Sequence, residues 1–74
     1  MDATQSKMAR AALGLSALDL AKLAGVARIT VARFELGSEI ADESRAKMRA
    51  AFEQAGIRFV DKGVYTGAVC PPRD

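Results

Sequence analysis

The sequence predicts a mainly α-helical fold with four short helices followed by a β-strand or hairpin. Half of the 74 residues are apolar, and much of that fraction is alanine, the residue with the highest helix propensity. Apolar residues recur at helical spacing through most of the chain, and glycines interrupt them at short intervals. Only the segment after Gly56 has the character of a strand.

The first helix is expected from Thr4 to Leu13, where Gly14 ends it. Lys7 and Arg10 are expected to face solvent. The side expected to pack inward consists of Met8, Ala12, Leu13 and Leu15. This helix is therefore predicted to pack on the others through an apolar stripe.

The second helix is expected to open at Ser16, because Asp19 three residues later gives a pattern close to the capping box. Gly25 is expected to end it in a tight turn with left-handed backbone, which glycine adopts at little cost. Its predicted inward residues are Leu20, Ala21 and Leu23.

The third helix is expected from Ala27 or Arg28 to Leu36, with Gly37 as the stop. Glu35 is expected to reach Arg28 or a neighbouring backbone group. The core residues predicted around the second and third helices are Leu20, Ala21, Val26, Val31 and Phe34.

The fourth helix is expected from Asp42 to Ala55, with Met48 and Phe52 as its core residues. Residues 57–60 are expected to form a strand, and 64–66 are able to return beside it after a turn. The predicted organisation is a helical domain over 1–56, a strand or hairpin over 57–69 and a flexible tail over 70–74.

Composition argues against several classes of function. The chain has no histidine, a single cysteine and no glycine-rich phosphate loop, so we expect neither an enzyme nor a metal site, a cofactor or a small-molecule substrate. No apolar run approaches the ~20 residues that span a bilayer, and the polar N-terminal segment lacks a signal sequence, so a cytoplasmic protein is expected. The net charge of +2 is compatible with a nucleic-acid partner.

The informative motif is Leu20-Ala21-x-x-x-Gly25-Val26-x-x-x-x-Val31-x-x-Phe34-Glu35-x-Gly37. Its small residue lets two helices cross closely, and its glycine permits the turn between them. With the Gly-Leu-Ser start of the second helix and the Gly-Ile-Arg-Phe segment after the fourth, the chain resembles the Cro/CI-like (XRE) family of bacterial and phage regulators over residues 5–57. The resemblance implies a lambda-repressor-like helix-turn-helix fold.

The resemblance also implies that the third helix enters the major groove of operator DNA. Arg28 or Arg33 would then contact guanine, and Ile29 would contact a thymine methyl group. The complete predicted surface is Ala17, Arg28, Ile29, Thr30, Ala32, Arg33 and Leu36. Binding of two half-sites would require a homodimer, and the hairpin is able to pair across a two-fold axis.

Some residues depart from the family pattern. Ala17 stands where the family often has a phosphate-binding glutamine, and Ala27 where it often has serine or threonine. Ile29 and Ala32 donate no hydrogen bonds to bases. The loop after the third helix is predicted to be acidic, with Glu35, Glu39, Asp42 and Glu43 and no basic residue from 36 to 44. Acids placed near phosphate would repel DNA.

These departures favour a second function, capture of another transcriptional regulator. Ile29 between two arginines gives an apolar centre with a charged rim, which Leu18, Leu36 and Ile40 would extend. The chain is similar in size to XRE-like antiactivators, some of them from mobile elements, that inhibit quorum-sensing activators. Arg45, Lys47 and Arg49 form either a solvated basic face or a site for an acidic partner. A DNA-binding repressor or other regulator and a protein-binding antiactivator therefore both stay open.

Overall fold

The structure, a computed structural model, describes residues 1–60 and 63–65. Its elements in chain order are α1 (Ala3–Leu13), α2 (Ala17–Ala24), α3 (Arg28–Glu35), α4 (Asp42–Gln54), β1 (Arg58–Val60) and β2 (Gly63–Tyr65). The two strands pair antiparallel, with Phe59 opposite Val64. The predicted mainly helical class with a C-terminal hairpin is confirmed. Some predicted features lie outside the described residues: the turn at 61–62, position 66 of the second strand and the tail over 70–74.

Complete capping boxes fix the starts of α1 and α2. Asp2 accepts a hydrogen bond from the Gln5 backbone N–H at 2.8 Å, and the Gln5 side chain accepts one from the Asp2 backbone N–H at 2.9 Å. Ser16 and Asp19 exchange the equivalent bonds, both at 3.0 Å. Each box gives two backbone N–H groups at the helix start a hydrogen-bond acceptor. This is why α2 begins where its sequence pattern predicts.

The turn between α2 and α3 depends on Gly25, whose φ of 73° lies in the left-handed region. Gly25 and Val26 both donate backbone hydrogen bonds to the Ala21 carbonyl, at 2.9 and 3.0 Å. Ala21 is buried in the core to which residues of both α2 and α3 contribute. Gly37, with a φ of 94°, follows α3, which ends at Glu35 rather than at the predicted Leu36.

The core lies between the four helices and the start of the hairpin. Its buried apolar residues are Ala9, Leu20, Ala21, Val31, Phe34, Met48, Phe52 and Ile57. Of the predicted core residues, Val26 alone is half-buried, and it packs against the edge of this cluster. Phe59 of β1 meets Phe52 edge to face, with ring centroids 5.8 Å apart. This contact attaches β1 to the helical core.

The predicted packing face of α1 is wrong for Met8 and Ala12, whereas Leu13 and Leu15 are partly buried and pack against the core as expected. Met8 and Ala12 are exposed, and the buried residues of α1 are Gln5, Ser6 and Ala9. Two of these are polar and have partners elsewhere in the chain, so hydrogen bonds hold α1 in place together with its apolar contacts to the core. The inward assignment of Leu23 on α2 is wrong as well, because its side chain is largely exposed.

Candidate nucleic-acid interface

The outward face of α3 is set by the residues that bury its other face. Val31 and Phe34 are buried three residues apart, on the side of α3 that packs against the core. The opposite side of a helix this short must face solvent. The exposed residues of the predicted surface are Arg28, Ile29, Arg33 and Leu36, and the half-buried ones are Ala17, Thr30 and Ala32.

Arg28 and Arg33 are available for a partner. Neither side chain makes an ion pair or a hydrogen bond with any residue that the structure describes. Both are exposed, and both lie on the same eight-residue helix. A guanidinium group presents planar pairs of N–H donors, which suit the acceptor atoms of base edges or phosphates. The two arginines are five residues apart and therefore about 140° apart around the helix axis, so they lie at different points of the exposed surface of α3.

Glu35 does not belong to this surface. Its side chain is 7% exposed and accepts hydrogen bonds from Arg10, the shortest at 2.6 Å, and from the Ser6 hydroxyl at 2.6 Å. The expected contact of Glu35 with Arg28 is therefore wrong. Burial pushes the pKa of the Glu35 carboxyl up, but the hydrogen bonds from Arg10 and Ser6 outweigh it and leave the pKa lowered. Glu35 is thus a paired carboxylate that ties α3 to α1.

Sequence reasoning missed this network because it placed Arg10 on the solvent side of α1. A signal was available: Ser6 and Arg10 are one helical turn apart and therefore share a face. A serine and an arginine on one face of a helix are able to donate to the same acceptor. The acceptor lies 25 to 29 residues away, which the spacing along the chain does not reveal.

The remaining acids near the start of α4 are paired within that helix. Asp42 pairs with Arg45, and Glu43 pairs with Lys47 at 3.4 Å. Further along, Glu53 pairs with Arg49 at 3.1 Å. The helix begins at Asp42, as predicted, and ends at Gln54, one residue before the predicted Ala55. All three cations of the predicted basic face have acidic partners of their own.

These pairs change the charge expected beside α3. Among the acids counted for the loop, Glu35 is buried, and Asp42 and Glu43 are each next to a cation. Glu39 makes no ion pair within the described part of the chain. Of these acids, Glu35 is therefore removed from the surface, whereas Asp42 and Glu43 stay exposed with a cation of α4 beside each of them.

The start of α2 carries a negative charge. Asp19 is exposed, and hydrogen bonds from the backbone N–H and the hydroxyl of Ser16 lower the pKa of its carboxyl. Asp19 is therefore ionised at neutral pH and lies at the helix end that would otherwise attract phosphate. In this respect the start of α2 differs from the site that the family resemblance implies.

Over residues 1–60 and 63–65, no group of acidic, histidine or cysteine side chains is arranged to hold a metal ion. The helices of the described chain are also too short or too polar to cross a bilayer.

Two crossed helices joined by a glycine turn, with a charged outward face on the second, define a helix-turn-helix domain. A family model described as Helix-turn-helix matches residues 7–55, well over half of the chain. The chain belongs to this family, in its Cro/CI-like (XRE) form, whose members are regulatory DNA-binding domains. Comparison with curated proteins gives no match, and comparison with solved structures gives none.

Proposed function

We propose that this chain is a transcriptional regulator that binds operator DNA with α3 in the major groove. The observation that carries the proposal is the contrast in pairing around α3. Arg28 and Arg33 have no acidic partner among the described residues, whereas three of the four acids counted beside them are paired with other cations. Arg28 and Arg33 are therefore left for a partner on α3, although Lys7, Lys22 and Arg58 also lack an acidic partner within the described residues.

This distribution suits DNA better than composition alone indicates. Phosphate contacts supply much of the affinity for DNA, and uncompensated acids at the interface would oppose them. Because Glu35 is buried and paired, it does not meet the duplex, and Glu39 after α3 and Asp19 at the start of α2 are exposed acids without a cation partner among the described residues. Arg28 and Arg33 are able to make bidentate contacts to guanine, the commonest specific contact in the major groove.

The proposal is tested by selecting binders from a pool of random-sequence duplexes and measuring their affinity by fluorescence anisotropy. Specific binding is expected, with affinity falling steeply between about 50 and 200 mM salt as counterions are released. Two half-sites about one helical turn apart are expected in the selected duplexes if a homodimer binds. Failure of any duplex to be enriched at the lower salt concentration would overturn the proposal.

Protein capture is the second candidate, and exposed apolar residues favour it. Leu36 is 84% exposed directly after α3, and Leu18 is 45% exposed on α2. Together with Ile29, they provide apolar surface beside arginines, as at many protein interfaces. An antiactivator of this kind would bind another transcriptional regulator without binding DNA. Absence of DNA binding, together with a stable complex with such a regulator that Leu36→Glu abolishes, would support it.

Replacing Glu39 with lysine tests whether the segment after α3 lies near phosphate. The variant is expected to bind the selected duplex severalfold more tightly, because it exchanges a repelled charge for an attracted one. Its salt dependence is expected to steepen by about one phosphate contact. Both effects are measurable by anisotropy across a salt series.

Glu53→Lys is the matched control, because it makes the same charge change near the end of α4 and leaves α3 untouched. It is expected to alter affinity much less. Equal gains in the two variants would mean that net charge alone is responsible and that the segment after α3 does not approach DNA.

A further inference from the structure

The exposed side chain of Leu23 lies at a groove between α2 and α4. Leu23 is 62% exposed, although Leu20, about one turn earlier on α2, is fully buried. The groove has a volume of about 200 Å³. The lining of this α2–α4 groove consists of Leu23, Ala24, Lys47, Ala50, Ala51 and Gln54. Half of these residues are alanines, so small side chains border one large exposed apolar side chain.

The size of the α2–α4 groove limits what it is able to hold. Pockets for small molecules typically have about 300–1,000 Å³, so this groove suits one inserted side chain better than a small molecule. An interface with two-fold symmetry uses the same patch on both copies, and the patch must therefore be complementary to itself. A recess with an exposed leucine in its lining meets this requirement, because each copy is able to donate Leu23 and to receive the partner's Leu23.

The charges at the α2–α4 groove also suit a second copy. Lys47 lines the groove, and its ammonium group is 3.4 Å from the carboxylate of Glu43, one turn earlier on α4. The two side chains are 49% and 81% exposed, so their pair is solvated and contributes little within one chain. When two such patches meet across a two-fold axis, each Lys47 is able to face the partner's Glu43. Because this pair has equal charges of both signs, it does not repel its own copy.

We propose that two copies of this chain associate through the α2–α4 groove, with Leu23 of each copy inserted into the groove of the other. This interface differs from pairing of the hairpins, and it uses no residue of α3. Association does not require DNA, so the proposal goes beyond the proposed function. The dimer supplies the two copies that binding of two half-sites requires.

Sedimentation equilibrium of the full chain without DNA tests the proposal. The average mass of the wild type is expected to rise with concentration from the 7.8 kDa of one chain to twice that value. Leu23→Ala is expected to weaken association about 100-fold, because burial of the exposed part of one leucine contributes roughly tenfold and both copies lose it. A wild type that stays monomeric throughout would overturn the proposal, whereas specific DNA binding by that monomer would leave the proposed function standing.

Leu18→Ala is the matched control. It makes the same truncation on the same helix, at a side chain that is 45% exposed but does not line the groove. It is expected to dimerise as the wild type does. Circular dichroism checks that both variants keep their helix content, as expected for exposed positions. Equal weakening in the two variants would mean that the α2–α4 groove is not the interface.

Exchanging the charges at the groove tests whether a second copy is its occupant. Lys47→Glu leaves two acids on the patch and Glu43→Lys leaves two cations, so each variant alone is expected to associate more weakly than the wild type. An equimolar mixture of the two variants is expected to form a heterodimer, because the two patches then carry opposite charges. A mixture that stays monomeric would contradict the two-fold arrangement and overturn the proposal.

Discussion

Replacing Arg10 with methionine is expected to lower the free energy of unfolding by ~3 kcal/mol at neutral pH. The substitution leaves the Glu35 carboxylate buried with Ser6 as its remaining partner, and breaking a buried pair from one side costs about 3–5 kcal/mol. The lower end applies because the Arg10 side chain is 22% exposed, so water reaches part of the pair. The free energy of unfolding of a 74-residue domain is roughly 4–11 kcal/mol, so this variant should be close to unfolding. Urea denaturation followed by circular dichroism measures the change.

Glu35→Gln provides the control for this prediction. Glutamine has nearly the same shape and is able to accept hydrogen bonds, and Arg10 is left near enough to the surface to be hydrated. We expect a smaller loss than for Arg10→Met. The variant that combines Arg10→Met with Glu35→Gln should lose less stability than the two single variants together, because it contains no unpaired buried charge. Strict additivity would show that the two side chains are not coupled.

The pH dependence of stability distinguishes loss of the ion pair from loss of packing. In the wild type the pKa of Glu35 is lowered, so its contribution is complete above its unfolded pKa of ~4.3 and disappears as pH falls through the folded pKa. In Arg10→Met, the buried Glu35 carboxyl lacks the guanidinium, so its pKa is expected to rise. Protonation at low pH then removes the cost of burying an unpaired negative charge. The difference in stability between the two proteins should therefore shrink as pH falls below about 5. A constant difference would indicate that packing alone was lost.

The parts of the fold that depend on neighbouring residues could be predicted from the sequence. Ser16 and Asp19 are three residues apart, and their mutual capping fixes the start of α2. Gly25 similarly indicates the turn, because few other residues adopt a positive φ there. The packing face of α1 could not be predicted in this way. Its polar residues are buried against Glu35 and Val60, 29 and 55 residues away, and apolar periodicity contains no information about such partners.

In the candidate site, too, some features depend on neighbouring residues and could be predicted, whereas others depend on distant residues and could not. The outward residues of α3 follow from the burial of Val31 and Phe34, which helical spacing predicts. The charge of the neighbouring segment does not follow from counting its acids. The pair of Glu43 with Lys47 was readable as an i,i+4 contact, but the pair of Glu35 with Arg10 joins two different helices. Predicting the electrostatics of the surface therefore required knowing which acid points inward.

The arginines of α3 are where DNA binding should be most sensitive to substitution. Arg33→Ala and Arg28→Ala are each expected to weaken binding to the selected duplex, and a variant that loses a bidentate contact to guanine should lose about 1–3 kcal/mol. That corresponds to roughly 5- to 150-fold in affinity. A variant that loses such a contact should also discriminate less at the corresponding base pair, which anisotropy with duplexes mutated at each position would reveal.

Arg58→Ala is the control that distinguishes contacts with bases from sequence-independent attraction to DNA phosphates. Arg58 is exposed on β1 and, within the described residues, has no acidic partner, so removing it changes the net charge by the same amount. It is expected to weaken binding only slightly and equally for all sequences, since phosphate attraction is independent of sequence. If Arg58→Ala weakened binding as much as Arg33→Ala did, and specificity were unchanged in both, α3 would be attracting DNA without reading it. A change in base preference confined to the α3 variants would place their guanidinium groups at base edges, because a lost phosphate contact weakens every sequence alike.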